Sequence, residues 1–480
     1  MQKHGHYIGG EWRPSAREQT FEAISPATGE VLAHLAEGTV EDADRAVRAA
    51  NDARARLSKM SVWDRSRMCL RIADAIDARK ESLARTLTLD QGKPYHSEAL
   101  GEVQHAAASF RNCAEQIKWL ETAVMPVEAP TKRVFSIRQP RGVYAIVTPW
   151  NFPYMIAAEY LAPGLAAGNA MVWVPAPTTS LCAVEFVRAI AEADLPPGAI
   201  NLVTGPGAIV GDAIVAHPGT HGVGFTGSPP TGEQIMRRAA GKPCLLELGG
   251  NGPTIILDDA DIDAAAAAAA LGCWFNAGQV CSATERILVH ERAHDAVVAK
   301  LAESARAVKL GDPFDPKTTM GPLNNEPTAV KSDRHVKDAV ERGASLVFGG
   351  GRADGHPTSL YYGPTVLDGV TREMAAHREE TFGPVAKVMT VSSDDEALRV
   401  ADDSELGLVS AVFTRDLKRA FRFSEALRTG IVVVNDFTDY WELHLPFGGA
   451  SGKRSGIGRI GGKHAIMEMT DLKTIVIDIG

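Results

Sequence analysis

The stretch FNAGQVCSATER, residues 275–286, sets one cysteine, Cys281, among small and polar neighbours. A free thiol titrates near ~8.5 and is a useful nucleophile only where its proton is withdrawn or accepted. Lone cysteines are mostly small buried hydrophobes, so chemistry at Cys281 requires partners from elsewhere in the chain. Glu247 lies in LLELGGNGP, an apolar strand pattern closed by two glycines. A carboxylate there is either a satisfied structural group or an acid–base with a raised pKa, because burial disfavours its charge. The two glycines let the chain pass close to another backbone or a ligand. Asn151, in VTPWNFPYM, follows a strand pattern and precedes a proline turn. Its amide either fixes that turn or donates to a developing oxyanion.

Three further stretches suit a nucleotide. VGFTGS, residues 223–228, ends a strand pattern just before the helical PPTGEQIM, where free N–H groups at a helix start would meet a phosphate. GPGAIVG, residues 205–211, is a similar glycine-rich junction. EETFGPV, residues 379–385, offers a carboxylate to ribose hydroxyls and a ring to a flat group, or else is a solvated loop. Each is weak alone, since such turns occur in many α/β proteins.

The elements that must carry these residues can be read from periodicity. Residues 40–120 are charged-apolar and helical in pattern. Residues 141–257 alternate short apolar runs with helical stretches, and residues 285–435 do so again. Such alternation predicts parallel sheets covered on both faces, in two α/β domains. TKRVFSIRQP (131–140) and the terminal TDLKTIVIDIG read as extended strands that pair with each other or with a neighbouring subunit. The seven alanines 264–270 predict a buried helix capped by Asp261 or Asp263.

Composition bounds the rest. A chain of 480 residues predicts two or three domains, and 45% apolar with 23% charged residues is ample for a large core. The net charge of −9, without a basic block, argues against a nucleic-acid partner. The six cysteines are scattered with no CxxC pair, so neither a disulfide framework nor a metal site is expected. The N-terminus lacks the apolar core of a signal peptide, and no segment is apolar enough to span a bilayer. These features predict a soluble cytoplasmic protein with free thiols and no membrane partner.

Taken in order, the motifs YIGGEW, SPATGE, TPWNFP, LAAGN, FTGS, LELGG, GQVC, EETFGPV, PFGG and LKT resemble the NAD(P)-dependent aldehyde dehydrogenase superfamily, of the non-acylating type, over nearly the whole chain. The resemblance implies an α/β fold: a Rossmann-like cofactor domain (1–119 and 141–247), an α/β catalytic domain (248–445), and a β-arm for oligomerisation (120–140 and 466–480), building a homodimer or homotetramer. It implies that Cys281 attacks an aldehyde to form a thiohemiacetal, with the oxyanion held by Asn151 and the Cys281 backbone N–H. Hydride passes to a nicotinamide, and Glu247 then activates the water that hydrolyses the thioester. Glu380 matches a ribose-binding glutamate and Phe382 the ring beside it. Trp150 and Ser228 match residues near the pyrophosphate, and Pro149, Gly207, Phe225, Gly227 and Leu248 complete the cofactor set.

Three departures from the family pattern carry information. Val174 and Pro177 stand where lysine and glutamate usually bind the adenine ribose, so NAD is expected with NADP open. Tyr160 and Ile460 replace a lysine–glutamate pair that relays the base's proton in some members. Glu159 stands where members acting on semialdehyde-carboxylates often place arginine. It is expected in the substrate pocket with Tyr154, Val280, Ser282, Tyr440, Glu442, His444 and Phe447, on a tunnel also approached by Trp441. Like-charge repulsion then favours a neutral, hydroxylated, aromatic or amino aldehyde over an acidic one such as succinate semialdehyde, unless Glu159 turns aside to a salt bridge. Rival readings are a semialdehyde dehydrogenase, a CoA-acylating enzyme, a catalytically silent binding member, and an esterase using the same thiol.

Overall fold

A computed structural model describes residues 2–480. The first alternating region builds an eight-stranded sheet. Its strands run in the order Gly456–Ile457, Cys244–Leu248, Gly222–Gly227, Val143–Thr148, Ala170–Pro175, Ile200–Leu202, His6–Ile8 and Glu11–Arg13. The five central strands are parallel, and the outer ones are antiparallel additions. All residues of Ala170–Pro175 and Ile200–Leu202 are buried, as their unbroken apolar runs require when helices cover both faces. From Val143–Thr148 the chain steps outward through Ala170–Pro175 and Ile200–Leu202, then returns to the other side of Val143–Thr148 with Gly222–Gly227. That reversal opens a crevice at the carboxyl ends of Val143–Thr148 and Gly222–Gly227, where open α/β sheets bind ligands. Residues 149–151 and Ser228 emerge there.

The second alternating region forms a seven-stranded sheet in the order Ser345–Phe348, Thr365–Asp368, Val385–Val391, Arg286–His290, Pro253–Ile256, Val409–Phe413 and Ile431–Val434. Only its first pairing is antiparallel. Helices fill residues 40–116 as the periodicity predicts. Thr39 and Ser61 each start one with a reciprocal capping box, to Asp42 and Asp64.

The two stray strands pair with each other: Lys132–Pro140 runs antiparallel to Thr470–Asp478 along its whole length, with Val124–Met125 on its other side. Three features differ from the sequence expectation. The alanine run lies in helix Ile262–Trp274, capped by Asp261, but buries only one face, leaving Ala264, Ala267 and Leu271 exposed. A small sheet of Lys3–His4, Val31–Ala36 and Thr20–Ile24 lies in a stretch to which the sequence reading assigns no element. Residues 446–465, assigned to no domain in the sequence, return strand Gly456–Ile457 to the edge of the first sheet, beside Glu247.

Candidate active site

Helix Ile262–Trp274 delivers the chain to Cys281 through a strained turn. Asn276 and Ala277 both adopt left-handed backbone, at φ 48° and 54°. Such residues cost about 1–3 kcal/mol each and persist where the surroundings over-determine them. Here buried amides do so. Asn276 Nδ2 donates to the Asn151 carbonyl (3.0 Å), and its Oδ1 accepts from Gln91 Nε2 (3.1 Å). Gln279 Nε2 donates to the Asn276 carbonyl (2.8 Å), while its Oε1 accepts from the Asn324 N–H (2.9 Å).

Asn151 follows strand Val143–Thr148 and is buried against the same turn. Its Nδ2 donates to the Gln279 carbonyl (3.0 Å), which uses one amide hydrogen and leaves the second available. Among the described residues, no protein acceptor takes the Cys281 backbone N–H. Two donors are therefore unspent in the cavity that Asn151 and Cys281 both line. The position of Asn151 is set from below by Lys93, a fully buried cation whose Nζ donates to the Asn151 carbonyl (2.9 Å). Lys93 pairs with Glu102 (2.5 Å) and lies 3.9 Å over the Phe152 ring. The other Glu102 oxygen accepts from the Tyr154 N–H (2.9 Å), at the start of helix Met155–Ala167.

Glu247 is the penultimate residue of strand Cys244–Leu248, in register with Thr226. It is 2% exposed, and its Oε1 has no hydrogen-bond partner. Burial pushes its carboxyl up to about 8; the adjoining Cys281 thiol pulls the other way, and the Glu380 charge adds to the rise. The thiol is itself pushed well up, by burial first and then by the Glu247 charge. Two glycines make the approach possible. A Cβ on Gly250 would lie 2.1 Å from the Cys281 carbonyl oxygen, and one on Gly249 2.9 Å from the Glu380 carboxylate. The close passage expected of LELGG is thus to the cysteine loop and to EETFGPV.

Two cavities meet at this point. The first, about 330 Å³, opens at the sheet crevice and is lined by Pro149, Trp150, Asn151, Gly227, Ser228, Leu248, Glu380 and Phe382, with Cys281 and Glu247 at its inner end. Trp150 and Phe382 stand edge to face, 5.5 Å apart. Glu380 accepts from the Gly250 N–H (2.9 Å), and burial raises its carboxyl to about 7. Phe382 is left-handed at φ 59°. It is held by Glu285, a buried carboxylate that accepts from the Thr381 and Phe382 N–H groups (3.0 and 2.8 Å) and pairs with Lys387. A carboxylate, facing rings and hydroxyls in a crevice of this kind suit the ribose and flat ring of a dinucleotide.

Four residues expected at the cofactor lie outside this cavity. Val174 and Phe225 are packed inside the sheet, while Pro177 and Gly207 are exposed beyond it. The free N–H groups expected after FTGS are also fewer, because Pro229 and Pro230 open helix Pro229–Ala239 and carry none. The Ser228 and Thr231 hydroxyls, 2.9 Å apart, remain there as polar groups.

The second cavity, about 250 Å³, lies on the other side of the sulfur. Glu159, Val280, Ser282 and Phe447 line it as expected, together with Phe152, Met155, Phe275 and Trp441. Ile460 also reaches it. Tyr154 does not. Its ring stacks on Phe186 at 5.1 Å and its hydroxyl donates to the Leu83 carbonyl (3.1 Å), because the helix starting at Met155 turns Met155 and Ile156 inward instead. Tyr440 is exposed, with its hydroxyl donating to Glu442 (3.0 Å), and Glu442 and His444 line a separate outer cleft beside Arg111. From that loop, Asp439 and Trp441 face the inner cavity. Tyr160 points away to the sheet: its hydroxyl donates to the Phe225 carbonyl (2.9 Å) and lies 2.8 Å from Thr226 Oγ1. Glu159 makes no ion pair with a lysine or arginine. It accepts from Ser109 Oγ (2.7 Å), and burial raises it to about 7.

Sequence reasoning missed Lys93, Glu102, Glu285, Lys387, Asn276, Gln279 and Asp439. Charged residues inside otherwise apolar or glycine-rich runs, such as Lys93 in LDQGKPY and Glu285 in SATERILV, were the available signal.

A profile described as the aldehyde dehydrogenase family matches residues 12–475. The chain is 36% identical over 473 residues to a mitochondrial succinate-semialdehyde dehydrogenase of Arabidopsis thaliana, covering 98% of this chain and 88% of the relative. It is 37% identical over 484 residues to a chloroplastic betaine aldehyde dehydrogenase of Beta vulgaris, covering 98% and 96%. Among solved structures, a succinate-semialdehyde dehydrogenase from Burkholderia pseudomallei superimposes with a TM-score of 0.96 at 37% identity, covering 99% of this chain and 98% of that one.

Proposed function

The chain belongs to the aldehyde dehydrogenase family, and on that premise we propose that it oxidises an aldehyde to its carboxylic acid through a thioester on Cys281, with Glu247 as the hydrolytic base. The observation that carries the reading is that the two cavities share two residues, Cys281 and Glu247. An aldehyde entering from one side and a dinucleotide from the other meet at the sulfur and the base.

Cys281 attacks the carbonyl carbon, and the free Asn151 amide hydrogen and the Cys281 N–H hold the oxyanion. The Glu247 carboxylate beside the thiol accepts its proton. A bound nicotinamide supplies the hydride acceptor, and its ring and ribose fit the Trp150, Phe382 and Glu380 side of the crevice. Once the thiol proton has passed from Glu247 to solvent, Glu247 takes a proton from water as that water adds to the thioester, and the carbon–sulfur bond breaks to return the Cys281 thiolate as the acid forms. Retention of this carboxylate favours water over coenzyme A as acyl acceptor. Val174 and Pro177 bring neither charge to the adenosine end, which leaves NAD as the expected cofactor and NADP as a usable one.

Glu159, without a cationic partner at the cavity wall, favours a neutral, hydroxylated, aromatic or amino aldehyde over a semialdehyde-carboxylate. The paired arm strands, with Leu472, Val476 and Ile479 exposed, fit assembly into a homodimer or homotetramer. All six cysteines are free, which suits a reducing compartment such as the cytoplasm. The test is reduced-nicotinamide formation from a panel of aldehydes with each dinucleotide. Cys281→Ala is expected to abolish it, and a variant that still oxidises aldehydes overturns the proposal.

A further inference from the structure

Glu98, Glu102 and His105 recur at helical spacing along the segment from Tyr95 to Gln116, and all three line the cavity on the aldehyde side. Glu159 faces them from helix Met155–Ala167, and Asp439 from the loop beside Cys281. With Glu247 the lining carries five carboxylates, yet no lysine or arginine is among the lining residues. Lys93 neutralises Glu102 from behind, and Glu247 is taken by the chemistry. Glu98, Glu159 and Asp439 hydrogen-bond only to uncharged groups, although the Lys93 charge also acts on Glu98 and Asp439 and His105 Nε2 lies 3.8 Å from Glu159.

Glu98 accepts from the Asn276 N–H (3.3 Å) through one oxygen, while its other oxygen is buried without any partner. Glu159 accepts only from Ser109, and Asp439 from Ser282. His105 does not supply the missing charge. Burial pushes it down to about 4, so it is neutral, stacked 5.7 Å from Trp441. Burial raises Glu98 and Glu159 to about 7 and Asp439 to about 6, so these groups hold protons readily when alone and ionise when a cation joins them, and the Trp441 ring adds a face that attracts one.

We propose that this cavity holds a cation subsite, formed by Glu98, Glu159, Asp439 and Trp441, and that the preferred aldehyde carries an ammonium group a few bonds from its carbonyl. The inference rests on the aldehyde-oxidising reading and narrows it, and the same charges oppose an aldehyde bearing a carboxylate.

The test compares kcat/KM of the full-length enzyme for 4-(trimethylammonio)butanal, its uncharged isostere 5,5-dimethylhexanal, and the anion 4-oxobutanoate. The cation is expected to exceed the isostere about tenfold or more, with the anion lowest. Glu98→Gln and Asp439→Asn are each expected to lower the cation-to-isostere ratio severalfold. A wild-type ratio near one, a better anion, or a cation preference untouched by both substitutions overturns the subsite. Oxidation of the isostere without cation preference removes this inference alone. Failure of all three aldehydes with both dinucleotides removes the aldehyde-oxidising reading as well.

Discussion

Replacing Glu247 by glutamine separates the two halves of the proposed reaction. The base works as a carboxylate, so its contribution is present above its pKa and lost as pH falls through it. With the carboxyl raised to about 8 by burial, the ionised fraction is ~0.1 at pH 7 and ~0.9 at pH 9. Where hydrolysis limits turnover, kcat of the natural enzyme therefore rises about tenfold between those values. The glutamine variant keeps the shape but cannot accept a proton, and a lost general base costs ~10²–10⁴-fold in steady-state rate.

Acylation is expected to survive in that variant. Burial and the Glu247 charge together hold the Cys281 thiol up, so deleting the charge makes the thiolate easier to form even as its nearest proton acceptor disappears. Rapid-mixing absorbance at the reduced-nicotinamide band should then show a burst approaching one equivalent per Cys281, followed by almost no turnover, with a thioester detectable by mass spectrometry of quenched enzyme. Full steady-state turnover in the variant, or a flat kcat between pH 7 and 9 in the natural enzyme alongside a complete burst, would refute the role of Glu247.

Lys93→Met leaves Glu102 charged and buried without its cation; breaking such a pair costs about 3–5 kcal/mol, read as a lower melting temperature, and kcat should fall because the Asn151 carbonyl loses its anchor. An unchanged melting curve would refute that assignment. Tyr160→Phe is expected to move the acid limb of the kcat profile to lower pH. The Thr226 hydroxyl already favours the Glu247 charge but lies 2.8 Å from the Tyr160 hydroxyl, which donates to the Phe225 carbonyl; without that competing acceptor it is given wholly to the Glu247 carboxylate. A limb that stays or moves up counts against this relay.

The fold and the residues that meet in the candidate site were legible because each leaves a local mark. Alternating apolar runs and helical periods marked the two parallel sheets, and Cys281, Glu247 and Asn151 sit where strands or helices end in glycine or proline punctuation. The lining of the aldehyde cavity was not legible in the same way. Tyr154 and Met155 differ by one position, and one residue turns a helical side chain by 100°, so a boundary error exchanges a wall residue for a core residue. On the loop before PFGG, Asp439 and Trp441 face inward while Tyr440 and Glu442 face out. That alternation follows from tertiary contacts with Ser282 and Phe447, which no short-range pattern encodes.

The strained positions explain why the supporting residues were also hidden. Asn276, Ala277 and Phe382 hold left-handed backbone, which alanine and phenylalanine rarely adopt. Each is imposed by buried groups distant in sequence: Gln91 and Asn151 on the cysteine turn, and Glu285 with Lys387 on the Phe382 turn. Glu285 lies four residues after Cys281, so the segment carrying that thiol also fixes the turn that presents Glu380 and Phe382 to the crevice. Gly250 joins them from the base side, passing against the Cys281 carbonyl while its N–H holds Glu380. Cys281, Glu247 and Glu380 are thus tied together through these turns, so a displacement of one is expected to pass to the others.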